Sequence, residues 1–284
     1  MNGKRKFWDT SIKSFIYFCA FLTTGILVAL ILYILIKGIP NISWNFLTGD
    51  FVPGNDAKAG IFNMIVTTVY IIGLTLLFAA PIGVFAAIYL VEYARPGKLV
   101  NTIRFTTESL AGIPSIIFGL FGFMFFGMLL GFKWSLLTGA STLTLTVLPT
   151  IIRATEEAIK AVPDPYREGS LALGASKLYT LFRIVLPTAF PGILTSLILS
   201  IGRIVGETAA VIFTAGIVYR LPKSVLDSGR TLAVHLYILA TEGSSKEQVM
   251  QSDATAAVLV VLVLVINIVS NIIGKAFHKK VQGD

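Results

Sequence analysis

The sequence predicts an all-α integral membrane protein with six transmembrane helices. Hydrophobic residues make up 55% of the chain and charged residues only 13%, with a mean hydropathy of +0.82. A soluble domain carries about a quarter charged residues. Six apolar runs reach or approach the ~20 residues that cross a hydrocarbon core as a helix. None alternates with the period of two that a membrane barrel needs. The basic residues, finally, sort by loop.

The runs cover 15–36, 61–91, 109–132, 135–152, 190–215 and 254–274. The first, Phe15 to Ile36, has 22 uncharged residues. That suits a span and exceeds a signal-peptide core, so no cleavable leader is expected. The second is long, and Pro81 is expected to kink it. The third carries Gly112 and Pro114 near its cytoplasmic end. Carbonyls freed by such a break need neighbours or water, so the break should face the bundle or a cavity. Gly119 and Gly122 allow close helix approach there. Glu108 is expected at the start of this span, at a helix N-terminus where negative charge is favoured. Glu108, Gly112 and Pro114 are the candidate gate residues. The short connection near Lys133 makes spans three and four a hairpin.

Orientation follows from Lys and Arg in the loops. With the N-terminus inside, fifteen basic residues fall inside and seven outside. The inner set is Lys4, Arg5, Lys6, Lys13, then Arg95, Lys98, Arg104, then Arg153, Lys160, Arg167, Lys177, Arg183, then Lys275, Lys279, Lys280. The outer set is Lys37, Lys58, Lys133, Arg220, Lys223, Arg230 and Lys246. Both termini are therefore expected in the cytoplasm, and the net charge of +8 reports topology, with no nucleic-acid partner implied. The chain reads as one transmembrane domain, 1–284, with its core at 61–275.

Outside, the 37–60 loop reads as irregular, and 231–240 reads as a helix packed on the outer surface. His235 there is expected to be packed or solvated. With His278 far away in sequence, no histidine metal site is expected. Cys19 is the lone cysteine and cannot form an internal disulfide.

The longest inner connection, Arg153 to Pro187, has strong helix punctuation. Asp164 can cap a helix and Pro165 suits its first position. A short helix should run from Tyr166 to Leu173 and end at Gly174. Ser176 can cap a second helix, expected to run to a break at Leu186-Pro187. Leu171 and Leu173 offer an apolar face, and Arg167 and Glu168 offer polar anchors. The whole forms an elbow at 164–187. The chain lacks the G-x-x-x-x-G-K-[ST] run that cradles nucleotide phosphates. It is expected to bind no cofactor itself.

Span five holds Arg203 and Glu207, four residues apart. On one continuous helix they share a face and can pair. A central Arg costs about 2.5–3.5 kcal/mol on insertion scales, so it should face the interior or water. A structural ion pair and an anion pathway are both open on the residues alone. Arg presents a planar fork that matches an oxyanion.

The elbow resembles that of ABC importer permeases, whose pattern is Glu-Ala-Ala, a glycine, nine residues, then Ile-x-Leu-Pro. Here stand Glu168, Gly169, Ser170, Gly174, Ile184, Val185, Leu186 and Pro187. The spacing matches; Gly169-Ser170 in place of Ala-Ala is the departure. The stretches ESLAGIPSIIFGLFG (108–122), VLPTIIRATEEAIKAVP (147–163), GRIVGETAA (202–210) and TLAVHLY (231–237) together resemble the PstA family of phosphate-importer permeases. The resemblance implies a type I permease bundle in the cytoplasmic membrane. The elbow, at Arg167, Glu168, Gly169, Ser170, Leu171, Gly174, Leu186 and Pro187, is then a coupling helix docked on an ATPase. A second homologous permease, an ATPase dimer using ATP and Mg²⁺, and an extracytoplasmic phosphate-binding protein are the implied partners. Arg203 and Glu207 are implied to lie on the phosphate path. Permeases for sulfate, molybdate or phosphonate stay open, as does an ion-driven transporter, which would give the elbow no use.

Overall fold

The computed structural model describes residues 3–54 and 59–282 of the 284-residue chain. Lys58 lies outside the described residues. So do the side chains of 3–7, 273 and 275–282, which include Lys4, Arg5, Lys6, Lys275, His278, Lys279 and Lys280.

The elements in chain order are α1 (Gly3–Gly38), α2 (Trp44–Thr48), α3 (Phe62–Ile88), α4 (Lys98–Ala111), α5 (Ser115–Gly122), α6 (Leu136–Lys160), α7 (Asp164–Ala172), α8 (Lys177–Thr180), α9 (Leu186–Gly206), α10 (Ala209–Thr214), α11 (Leu232–Glu242) and α12 (Lys246–Gln282). Three π-turns extend this set. Tyr89–Tyr93 prolongs α3, Phe123–Leu129 prolongs α5, and Leu181–Val185 joins α8 to α9.

Five helical stretches are long and apolar enough to cross a membrane: Trp8–Asn41, Phe62–Tyr93, Leu136–Lys160, Lys177–Gly206 and Lys246–Ile272. Lys98–Ala111 and Ser115–Leu129 form a pair bent by 105° and supply a sixth. The expected six spans are thus present with shifted limits. The third begins at Ser115, not 109. Glu108 therefore sits near the C-terminal end of α4, not at a helix N-terminus, because Gly112 and Pro114 end one helix and start the next. The fifth starts at Lys177 and stops at Gly206, so the helix after Ser176 does not break at Pro187. The π-turn at Leu181–Val185 widens the helix where the Pro187 ring would meet a carbonyl four residues back.

The core lies where α3, α6, α9 and α10 meet, around Ile71, Ala79, Leu143, Val147, Val205 and Val211. α6 buries Thr138, Thr142, Thr144 and Thr146, and each hydroxyl donates to a backbone carbonyl at 2.7–2.8 Å. With no water in the hydrocarbon, that is how such groups are satisfied. A side chain at Gly122 would collide with Thr142, and one at Gly119 would meet the Ala210 backbone at 2.9 Å. Close approach of α5 to α6 and α10 thus rests on these two glycines, as expected.

The outer side holds more structure than 37–60 suggests in sequence: α2, and an antiparallel bridge between Phe51 and Ala59. α11 is not laid on the surface. Leu232, Ala233, Val234, His235 and Leu239 are buried, and the Leu232 N–H donates to Thr68 Oγ1 of α3 at 3.0 Å.

Candidate functional site

Span five, an apolar run to 215 in the sequence, breaks after Gly206. α9 ends at Gly206, Glu207 takes an extended conformation (φ −72°, ψ 120°), and α10 starts at Ala209. Gly206 is a poor helix former. α10 continues the chain beyond the break. That helix has six residues, about 9 Å at 1.5 Å per residue. At its far end the Thr214 carbonyl accepts from the Ser135 N–H of the outer hairpin at 3.1 Å.

The expected pairing of Arg203 with Glu207 is corrected here. Residues four apart meet only on a continuous helix, and this helix stops between them. The half-buried Glu207 instead turns toward α10, and its Oε1 accepts from the Ala210 N–H at 3.4 Å. Arg203 is exposed and, among the described residues, has no ion pair or hydrogen bond. The face it occupies is open: a Cβ built on Gly202 or Gly206 would meet nothing within 4 Å. A free guanidinium facing lipid is expensive, and irregular backbone at membrane depth persists only where protein or a cavity covers it. This face therefore needs a partner chain or an aqueous path against it.

Between α4 and the C-terminal end of α6, Glu108 joins Arg153 at 2.6 Å, and Glu156 joins Arg104 at 3.2 Å and Lys160 at 2.9 Å. The two arginine pairs tie α4 to α6 just before the turn at Gly112 and Pro114, around a cleft of about 220 Å³, and Lys160 adds a contact within α6. Sequence reasoning put Glu108 at a helix N-terminus and did not find its partner. The two are 45 residues apart, too far for any local pattern.

The elbow forms largely as expected. Gly174 adopts φ +86°, which suits a residue without a Cβ, and Ser176 Oγ accepts from the Tyr179 N–H at 3.2 Å. Asp164 does not cap α7. It is the first residue of the helix, Pro163 holds the cap position, and Asp164 Oδ1 accepts from Arg167 at 3.1 Å. Glu168, Gly169, Leu171 and Leu173 are exposed, Leu173 by 91%. Leu186 and Pro187 are half-buried at the start of α9. Ser170 is buried and shares a 2.8 Å hydrogen bond with Thr180.

Arg167 departs most from expectation. Its side chain is only 18% exposed and turns into the protein. It donates to Glu92 Oε1 at 3.3 Å, the Val162 carbonyl at 2.6 Å and the Ile159 carbonyl at 2.7 Å. Glu92 was missed in the sequence. Its one signal is that it is the first charge after a long apolar run.

At the end of the bundle that carries α2 and α11, Arg230 donates to the Ile217 carbonyl at 2.9 Å and lies 3.2 Å from His235 Nδ1. His235 packs edge-on against Phe51 at 4.8 Å. Asn63 Nδ2 reaches Asp50 at 3.0 Å and the Tyr219 carbonyl at 3.3 Å. The outer segments 37–60 and 216–253 are fastened together through these groups.

The family profile of binding-protein-dependent transport system inner membrane components matches residues 79–283. The chain is 35% identical to the probable ABC transporter permease protein YqgI of Bacillus subtilis, over 99% of both chains. It is 37% identical to phosphate transport system permease protein PstA 1 of Mycobacterium tuberculosis, covering 75% of this chain and 70% of that one. Its fold also matches a chain of the bacterial alginate ABC transporter solved with an alginate pentasaccharide-bound periplasmic protein. The TM-score there is 0.67 at 16% identity, covering 96% of this chain and 98% of that one. A broken, charge-bearing span, an exposed apolar elbow and these likenesses agree: the chain belongs to the binding-protein-dependent transport system inner membrane components, and among them to the PstA-type ABC permeases.

Proposed function

We propose that this chain forms half of the pathway of an ATP-driven phosphate importer in the cytoplasmic membrane, with both termini inside. A homologous permease covers the open face around Gly202, Arg203 and Gly206. ATPase subunits supply ATP and Mg²⁺ chemistry, which this chain does not perform. They dock on the exposed side of the elbow at Glu168, Leu171 and Leu173. An extracytoplasmic phosphate-binding protein delivers substrate to the outer segments 37–60 and 216–253.

The single observation that carries the reading is Arg203: a guanidinium without a partner among the described residues, on an open face of an apolar span and next to a helix break. Its fork matches two phosphate oxygens. Glu207 stands at the break with a carboxylate that can accept a hydrogen bond. Phosphate at neutral pH retains a proton to donate, and sulfate does not. The pair thus offers attraction and discrimination together. Because Arg203 is not held by Glu207, the ion meets a site whose positive charge is uncancelled, and Glu207 moderates it at a distance. Movement of the elbow then changes which side the break opens to. Gly112, Pro114 and the Glu108–Arg153 pair are the proposed inner gate.

The test is anion competition in vesicles carrying the complete complex. Unlabelled phosphate should abolish uptake of labelled phosphate, and sulfate, molybdate or phosphonate in equal excess should leave it standing. Equal competition by sulfate would move the assignment to another oxyanion. Phosphate uptake with no ATPase in the purified complex would remove the ATP-driven reading altogether.

A further inference from the structure

α7 has two sides with different chemistry. Its outward side presents Leu171 and Leu173, 48% and 91% exposed. Its inward side carries Arg167 and Ser170, three apart and thus on one face. Each inward residue leads to a different span. Ser170 bonds Thr180, whose helix continues without interruption to Gly206. Arg167 bonds Glu92, which ends the Phe62–Tyr93 span.

The first link duplicates a connection that the chain already makes. The second does not. The Phe62–Tyr93 span is separated from the elbow by α4, α5 and α6, so non-covalent contacts alone can make it follow the elbow. Among the described residues the ion pair that joins them is Arg167–Glu92, with side chains 18% and 12% exposed. It is backed by Lys177, which donates to the Glu92 carbonyl and lies 4.8 Å from the Tyr93 ring centre. Beneath it, Ile88, Val162, Leu181 and Val185 share one apolar cluster.

Both spans attached here carry a π-turn at this level, Tyr89–Tyr93 and Leu181–Val185. Such wide turns are frequent at functional sites and mark places where a helix changes register. Val91 and Leu181, one from each π-turn, belong to that same cluster.

We propose that Arg167 and Glu92 are positioning residues for transport, forming the rivet through which the elbow moves the cytoplasmic end of the Phe62–Tyr93 span. Arg167 is also tied to the Ile159 and Val162 carbonyls at the end of α6. One guanidinium thereby gathers two spans and the elbow into a rigid block. Without the carboxylate, the elbow still follows the ATPase but drags only α6 and α9. This inference rests on the ATP-driven importer reading.

The experiment uses the whole complex reconstituted with its ATPase and binding protein, and measures phosphate moved and ATP hydrolysed in the same vesicles. Glu92→Gln should assemble normally and keep its ATPase activity, while phosphate moved per ATP falls by about tenfold, the effect of losing one charge-assisted contact. Glu92→Asp should recover most of the loss. An unchanged ratio in Glu92→Gln overturns the proposal. So does a loss of transport fully matched by a loss of assembled complex, which would make the pair purely structural. A wild-type complex that hydrolyses no ATP, or moves no phosphate, would instead overturn the importer reading.

Discussion

Arg167 in the elbow and Arg203 at the broken span are in opposite states. Arg167 is turned inward and meets Glu92, Asp164 and two backbone carbonyls. Arg203 is exposed, on an open face, and its sequence neighbour Glu207 faces another helix. The difference shows how to read a charge in a membrane protein. A guanidinium with its donors filled is a fastener, and its removal is felt as lost rigidity. A guanidinium with its donors empty is waiting for something, and its removal is felt as lost binding. Motif position alone would have assigned these roles the other way round: Arg167 as the outward anchor and Arg203 as one half of a closed pair.

The comparison can be sharpened by variants, largest effect first. Arg167→Ala leaves a half-buried carboxylate and two carbonyls short of a donor. It should cost about 3–5 kcal/mol, the usual loss when one partner of a buried pair is removed. The midpoint of thermal unfolding in detergent would drop accordingly, and an unchanged midpoint would deny the fastening role. Gly122→Ala drives a methyl into Thr142. Overpacking of this kind costs about 1–3 kcal/mol, and should lower the yield of monodisperse complex where Gly25→Ala on α1, with nothing within 4 Å of the added methyl, should not.

His235 gives a pH test. Burial first, and then the neighbouring Arg230 cation, lower its pKa to about 3. Between the ordinary value near 6.5 and about 3, the unfolded chain takes up a proton that the folded chain refuses. Stability should therefore fall as pH drops through that window, by up to about 1.4 kcal/mol per pH unit. His235→Gln keeps an acceptor for Arg230 and does not titrate, so its acid slope in a pH series of unfolding curves should be flatter. The smallest effect belongs to Glu108→Gln. Its pair with Arg153 is more than half exposed at both ends, and exposed pairs contribute about 0–1 kcal/mol. Unfolding should barely shift, so any large transport defect in this variant would mark Glu108 as a gate and not a brace.

Much of the fold was legible because its signals are local. Long apolar runs fix the spans, and Gly174 and Ser176 punctuate the elbow within a few residues of where the helices turn. The break at Gly112 and Pro114 was legible too, although its 105° size was not, since the angle depends on α4 packing along α6. Two of the expectations that failed concern where a helix continues and where it stops. Arg203 and Glu207 look paired only if Gly206 stays helical. Pro187 looks like a stop only if no π-turn precedes it. Glu92 was invisible because its partner is 75 residues away, and long-range pairs leave no periodic trace.

The central claim is that the broken span at Arg203 and Glu207 is where the oxyanion passes. It is tested most directly by phosphate uptake in cells carrying Arg203→Ala or Glu207→Gln, with assembly of the ATPase verified in each. Arg203→Ala should lose about 10- to 100-fold in uptake, the weight of a charged hydrogen-bond partner of about 1.5–3 kcal/mol. Glu207→Gln should lose less, and should admit sulfate as a competitor. Normal uptake and unchanged anion preference in both variants, with the complex intact, would contradict the account.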